Sequence, residues 1–130
     1  MPKPKKPTEA ELAILRVLWT RGSSTVREVA EAMGRGGAYT TILKLMQIMT
    51  DKGLITRDDS ARAHVYVAAY SEGHTQRQLV HDLLDRLFDG SPSQLVMHAL
   101  SGKQASPDEL RAIRRLLADA QSKQRAEGES

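Results

Sequence analysis

Polar side chains that can hydrogen-bond to bases and phosphates cluster near the start of one predicted helix, residues 38–52. They are Tyr39, Thr40, Thr41, Lys44 and Gln47. Apolar residues recur on the opposite side at spacings of three and four, so one face packs and the other faces outward. A threonine hydroxyl can bond to a base or a phosphate, and a lysine can donate to guanine or to a phosphate. The pattern predicts a helix whose first turns contact DNA.

Asp51 lies further along the same helix face, where its carboxylate would repel phosphates. Contact with DNA is therefore expected only over the first two or three turns. Taken alone, this face could be an ordinary solvated surface. The order of the neighbouring elements favours DNA binding instead.

Two arginines flank a polar loop that follows this helix, Arg57 and Arg62. Such a loop can meet the DNA backbone or the minor groove, although Asp58 and Asp59 weaken the local positive field. Arg62 is the preferred contact, and the alternative is a loop arginine in water or paired with one of the aspartates. Thr25 completes the candidate DNA-binding residues.

The sequence does not support chemistry other than binding. The chain has no cysteine, which excludes disulfides, thiolate metal sites and cysteine nucleophiles. His74 and His81 would lie about 10.5 Å apart along a helix, too far to share one metal ion. No nucleophile, base and orienting partner form a recognisable motif. We therefore expect neither an enzyme nor a metal or other cofactor.

Three short helices and a hairpin are predicted to position the candidate residues. A Thr-x-x-Glu capping box opens each of the first two helices, at Thr8 and at Thr25. After helix 38–52 come two β-prone runs, 54–57 and 64–67. This order is typical of a winged helix-turn-helix, which we place at residues 8–70.

Three further amphipathic helices are predicted in residues 71–125, and their apolar faces are candidates for dimerisation. The residues are Leu79, Leu83, Leu87, Leu95, Leu100, Leu110, Ile113 and Leu117. These helices are too few and too apolar to bury their faces alone, and operators read by such motifs are commonly two-fold symmetric. The alternative is packing on the N-terminal helices. The expected fold class is mainly α with a small β-hairpin, an N-terminal winged helix-turn-helix plus a C-terminal helical dimerisation region.

Charge is distributed unevenly along the chain, whose formal net charge is +3. Residues 1–66 hold 11 lysines and arginines against 7 acidic residues, whereas residues 67–130 hold 8 against 9. Positive charge therefore lies in the half expected to meet phosphates. Residues 1–7 are expected to be a basic disordered arm and 126–130 a disordered tail. No apolar stretch is long enough to cross a membrane, so we expect a cytoplasmic protein without membrane insertion.

The sequence resembles the penicillinase-repressor family from end to end. The resembling segments are 11–19 (ELAILRVLW), 25–29 (TVREV), 38–42 (AYTTI), 52–55 (KGLI) and 65–66 (VY). The resemblance implies a homodimer that binds a dyad operator and represses genes that often include a β-lactamase and its sensor. It also implies release by a membrane sensor-protease that triggers cleavage in the dimerisation domain. The family's scissile Asn-Phe pair aligns with His98 and Ala99, so another protease specificity or another release mechanism stays open.

Two other functions stay open for a winged helix of this kind. The first is a ligand-sensing regulator that binds a small molecule between its two halves. The second is a protein-interaction module that never touches DNA. The second leaves Lys44, Arg62 and the positive charge of the N-terminal half unexplained.

Overall fold

The computed structural model describes residues 6–34, 38–60, 62–102 and 104–128. The elements in these ranges are α1 (Glu9–Arg21), α2 (Val26–Met33), α3 (Tyr39–Asp51), β1 (Ile55–Asp58), β2 (Val65–Ala68), α4 (Glu72–Leu87), α5 (Pro92–Gly102) and α6 (Pro107–Gly128). Three helices followed by a two-stranded hairpin confirm the predicted fold class. The chain forms two compact units, the first reaching to Asp82 and the second beginning at Leu83, so the division falls inside α4.

Both predicted capping boxes are present at the starts of α1 and α2. The Thr8 hydroxyl accepts a hydrogen bond from the Glu11 N–H at 3.2 Å, and Glu11 Oε1 accepts one from the Thr8 N–H at 2.9 Å. Thr25 and Glu28 make the same reciprocal pair, at 3.1 and 2.9 Å. Each box satisfies two backbone donors that a helix start leaves unpaired, which explains why both helices begin where the sequence predicts.

The core of the first unit lies where α1, α2, α3 and the hairpin meet. Its buried side chains are Ile14, Leu15, Leu18, Val26, Val29, Ala30, Ile42, Met46, Met49, Leu54, Ile55 and Tyr66. Helix α3 contributes Ile42, Met46 and Met49, each at most 1% exposed. Burying this apolar stripe orients α3, because the stripe must face the other helices and the polar stripe must then face solvent.

The wing, defined here as residues 55–68, is an antiparallel hairpin in which Arg57 pairs with Tyr66. Gly53 adopts φ +80°, a conformation that glycine tolerates best, and turns the chain from α3 into β1. The wing is also tied to the segment between α1 and α2. Ser24 and Tyr66 exchange two backbone hydrogen bonds, at 3.0 and 2.8 Å. This bridge holds the wing against the helices.

A buried ion pair joins the start of α1 to the end of α3. Lys52 Nζ donates to Glu11 Oε1 at 2.6 Å, and the side chains of Glu11 and Lys52 are only 3% and 18% exposed. Burial raises the pKa of Glu11, but hydrogen bonds from Lys52 and Thr8 outweigh it and hold that pKa below its ordinary value. The carboxylate that caps α1 therefore also fixes the C-terminal end of α3.

The junction between the wing and α4 is held by contacts within the first unit. Trp19 Nε1 donates to the Tyr70 carbonyl at 2.9 Å, and the Tyr70 ring stacks on His74.

Lys6 belongs to the arm predicted to be disordered, and its ammonium pairs with the carboxylate of Asp82 in α4. The disordered arm stays a prediction, because an exposed ion pair does not by itself order a chain segment. Residues 1–5 lie outside the described residues.

The second unit contains the end of α4 followed by α5 and α6. A proline stands at the first position of both α5 and α6, where its missing N–H costs no helical hydrogen bond. Helix α6 continues to Gly128, so the disordered tail predicted from residue 126 is wrong for 126–128, and 129–130 lie outside the described residues. The prediction ended α6 too early because it relied only on the polarity of the last residues. Solvated residues such as Arg125 in the last turn are compatible with a helix. Across the described ranges, no helix combines the length and apolar character needed to span a bilayer.

Candidate nucleic-acid interface

The outer face of α3 carries the side chains predicted to contact DNA. All of them are exposed to solvent: Tyr39, Thr40, Thr41, Lys44 and Gln47. Tyr39 is 49% exposed despite its large ring. The intervening apolar residues are buried (Ile42, Met46) or half-buried (Leu43, Leu45), so these five side chains form the accessible surface of the helix. We call this surface the α3 face.

The first turn of α3 differs from those of α1 and α2 because no side chain caps it. Ala38 occupies the N-cap position and makes no side-chain hydrogen bond. The first backbone N–H groups of a helix carry partial positive charge and attract anions when no side chain accepts from them. The uncapped turn carries Tyr39, Thr40 and Thr41.

A groove of about 530 Å³ runs between the C-terminal half of α3 and the wing. Among its lining residues are Gln47, Asp51, Arg57, Asp59 and Tyr66. Two carboxylates face one guanidinium there, so this groove is less favourable to phosphates than the start of α3. The geometry supports the expectation that DNA contact weakens toward Asp51.

The two wing arginines have different surroundings. Arg57 is bound by Asp59 through two contacts, Nε to Oδ1 at 2.7 Å and Nη2 to Oδ2 at 3.2 Å. Hydrogen bonding to Tyr66 and then to Asp59 raises the pKa of Arg57. Arg62 is exposed, and no ion pair is found for it among residues 6–34, 38–60, 62–102 and 104–128. The aspartate pairing considered for Arg62 is thus not found for it among those residues, and Arg57 is the arginine that pairs with an aspartate.

Thr25 and Arg27 lie at the start of α2. The Thr25 hydroxyl is engaged in the α2 capping box and the residue is half-buried, so its first role is structural. Sequence reasoning missed Arg27, which is exposed and lines a shallow pocket together with Glu31 and Tyr39. The available signal was the helical periodicity, because Arg27 lies off the stripe formed by Val26, Val29 and Ala30 at spacings of three and four.

The residues predicted to mediate dimerisation include none that is fully buried in the chain. Leu79, Leu95 and Ile113 are half-buried, and the others are exposed. Leu87 and Leu117 are 68% and 56% exposed. Further exposed apolar residues that the prediction left out lie in the second unit: Val96, Met97 and Leu116. Exposed apolar residues in such number on a small unit are candidates for contact with a partner.

His98 and Ala99, the candidate cleavage pair, lie within α5. The His98 ring stacks on Phe88 with ring centroids 5.5 Å apart. Both residues are exposed, but their backbone is helical.

No group of three or more histidines or carboxylates that could hold a metal is found among the described residues.

A helix-turn-helix with an exposed polar second helix, followed directly by a wing, defines a winged helix-turn-helix DNA-binding protein. A family model described as penicillinase repressor matches residues 7–119. The chain belongs to the penicillinase repressor family. It is a transcriptional regulator with a DNA-binding fold and not an enzyme.

Individual relatives agree with this assignment. The transcriptional regulator BlaI of Mycobacterium tuberculosis is 31% identical over 118 residues, covering 88% of this chain and 84% of the relative. The penicillinase repressor of Bacillus licheniformis is 22% identical over 120 residues, covering 91% and 94%. Among solved structures, the DNA-binding domain of the repressor BlaI is 24% identical and covers 55% of this chain and 90% of its own, with a TM-score of 0.48.

Proposed function

We propose that this chain is a homodimeric repressor that inserts α3 into the major groove of a dyad operator. The operator controls a β-lactamase or another antibiotic-response operon, and the protein acts in the cytoplasm. The observation that carries the proposal is the α3 face: five exposed polar side chains on a helix whose opposite side forms the core. Direct contacts come from Tyr39, Thr40, Thr41, Lys44 and Gln47, with Arg62, Arg57 and Thr25 at the edges of the interface.

The uncapped start of α3 supports this docking. In helix-turn-helix proteins the N-terminal residues of the second helix reach the base edges, and nearby backbone N–H groups can bind phosphate. At the starts of α1 and α2, threonine and glutamate side chains accept hydrogen bonds from backbone N–H groups, whereas no side chain does so at the start of α3. Among these three helices, α3, the one proposed to meet DNA phosphates, is therefore the helix whose first N–H groups have no side-chain acceptor.

The exposed leucines of the second unit support the homodimer. No residue of α5 or α6 is buried in the chain. A unit of this size gains little stability from a core of its own, so covering these leucines with the same surface of a second copy would stabilise both copies. A dimer also matches the two-fold symmetry of a dyad operator. Release from DNA would follow from a sensor-protease system that acts on this unit, with His98 and Ala99 as the candidate cleavage pair.

Lys44→Ala and Arg62→Ala are each expected to weaken binding to duplex DNA and to flatten its salt dependence. Each lost phosphate contact lowers the slope of log K against log salt by about one per protomer. Arg57→Ala should lower it less, because Asp59 already neutralises this guanidinium. Fluorescence anisotropy titrations across a range of salt concentrations give the slopes.

Lys123→Ala provides the matched control, since Lys123 is an exposed lysine on α6. Its salt slope should equal that of the unmodified chain. Slopes that stay unchanged in both Lys44→Ala and Arg62→Ala would remove these residues from the interface.

Selection of bound duplexes from a random pool tests the dyad. The expected product is a pair of inverted half-sites separated by about one helical turn or a multiple of it. A selected consensus with a single half-site would count against a symmetric dimer on DNA. No enrichment at all would contradict the proposed function itself.

A further inference from the structure

The tip of the wing holds a histidine in an arrangement that the proposed interface does not use. His64 Nδ1 lies 2.7 Å from Asp59 Oδ1, and Arg57 Nε lies 2.7 Å from the same oxygen. The side chains of His64 and Asp59 are 58% and 52% exposed. The imidazole is therefore oriented by a carboxylate while its other edge remains open to solvent.

The close contact with Asp59 determines what the open edge of the ring can do. A carboxylate oxygen only accepts hydrogen bonds, so Nδ1, at 2.7 Å from it, must carry the ring hydrogen of the neutral form. In the neutral ring Nε2 then carries a lone pair, which repels a phosphate oxygen. In the protonated ring Nε2 carries a hydrogen and donates to that oxygen. This nitrogen can bind phosphate only in the charged form.

Charged residues of both signs lie in the wing and in the groove beside it. Asp59 touches the ring. Asp58 lies at the end of β1, where hydrogen bonds from Ser60 hold its pKa below the ordinary value. Asp51 of α3 lines the same groove as Asp59. Arg57, which is paired with Asp59, and Arg62 carry the opposite charge. The contact that orients the ring is therefore the one with Asp59.

We propose that His64 is a phosphate-binding residue of the wing, oriented by Asp59, and that DNA binding takes up a proton at its ring. The proposal rests on the proposed DNA-binding function. It makes DNA affinity rise as pH falls through the range in which histidine changes charge, about pH 8 to pH 6. It also gives Asp59, a residue that should repel DNA, a positioning role at the interface.

The test uses the full chain and a labelled mixed-sequence duplex of about 30 base pairs, because a phosphate contact does not depend on sequence. Between about pH 8 and about pH 6, the affinity of the unmodified chain should rise at least about fivefold more than the affinity of His64→Gln does. His64→Lys, which carries a permanent cation, should bind tightly at both pH values. His81→Gln, which removes an exposed histidine of α4, should keep the full pH effect.

Calorimetric titrations in buffers of different ionisation enthalpy measure the proton directly. Net proton uptake on DNA binding should be present in the unmodified chain and His81→Gln, and lost in His64→Gln. If His64→Gln keeps the same affinity ratio and the same uptake, the role of His64 is overturned while DNA binding stands. If the unmodified chain binds the duplex at neither pH, the proposed function fails as well.

Discussion

Leu87→Asp is expected to convert the dimer to monomers and to weaken operator binding. Leu87 is 68% exposed in the single chain, so the substitution leaves the monomer intact but places a charge in an apolar interface. Because a two-fold interface contains the residue twice, we expect the dimer dissociation constant to rise by about a hundredfold or more. Leu83→Asp, one turn earlier on the same helix face, should act in the same direction. Analytical ultracentrifugation measures the change.

His81→Asp is the matched control for this prediction. His81 is exposed on α4 and lies two residues before Leu83, hence on the opposite side of the helix. The His81→Asp variant should stay dimeric, and its helix content by circular dichroism should equal that of the unmodified chain. Dimers that persist in both leucine variants would show that this face of α4 is not the interface.

Lys52→Met is expected to lower the free energy of unfolding by about 3 kcal/mol, because it leaves the buried Glu11 carboxylate without its cation. For a domain of this size the loss corresponds to a fall in Tm of about 10 °C. The methionine keeps the length and apolar character of the lysine stem, so packing is largely retained. Thermal melting at neutral pH provides the measurement.

The pH dependence of stability carries the signature of the ion pair. The pKa of Glu11 is lowered in the folded chain, so its contribution is present above the unfolded pKa of about 4.3 and is lost as pH falls through the folded value. Without Lys52, burial opposes the charged form and this loss on acidification should shrink. An equal acid-induced fall in Tm for Lys52→Met and the unmodified chain would contradict this role for Glu11.

The chain supplies a natural control in its second capping box. Glu28 occupies the same position in α2 as Glu11 does in α1, and Arg21 is its cationic partner at 3.5 Å. Both side chains of that pair are more than 40% exposed. Arg21→Met should therefore cost less than about 1 kcal/mol. Comparable losses from Arg21→Met and Lys52→Met would mean that burial of the ion pair does not matter.

Much of the fold could be predicted because its signals are local. The capping boxes at Thr8 and Thr25 involve residues three apart, and the starts of α1 and α2 follow from them. The apolar stripe of α3 likewise predicts which side of that helix is exposed. The contacts of these residues with DNA and with a second copy remain predictions.

Other features depend on residues that are distant in the chain. Lys52 reaches Glu11 across 41 positions, and no local pattern distinguishes it from a solvated lysine. The bridge from Ser24 to Tyr66 and the ion pair between Lys6 and Asp82 likewise join residues that are far apart in the sequence. In the wing, the sequence favoured Arg62 over Arg57 as the DNA contact but gave neither arginine a definite partner. Only the folded loop placed Asp59 beside both Arg57 and His64.

The sequence by itself determined the order of the elements, the buried and exposed sides of α3 and the lack of a cap at Ala38, because each follows from periodicity or from neighbours within one helical turn. Tertiary structure alone decided how α3 is locked to α1 and which charges remain available at the wing. The physical reason is that an ion pair or a hydrogen bond depends on distances of a few ångströms between side chains. Those distances exist only once the core has brought distant segments together.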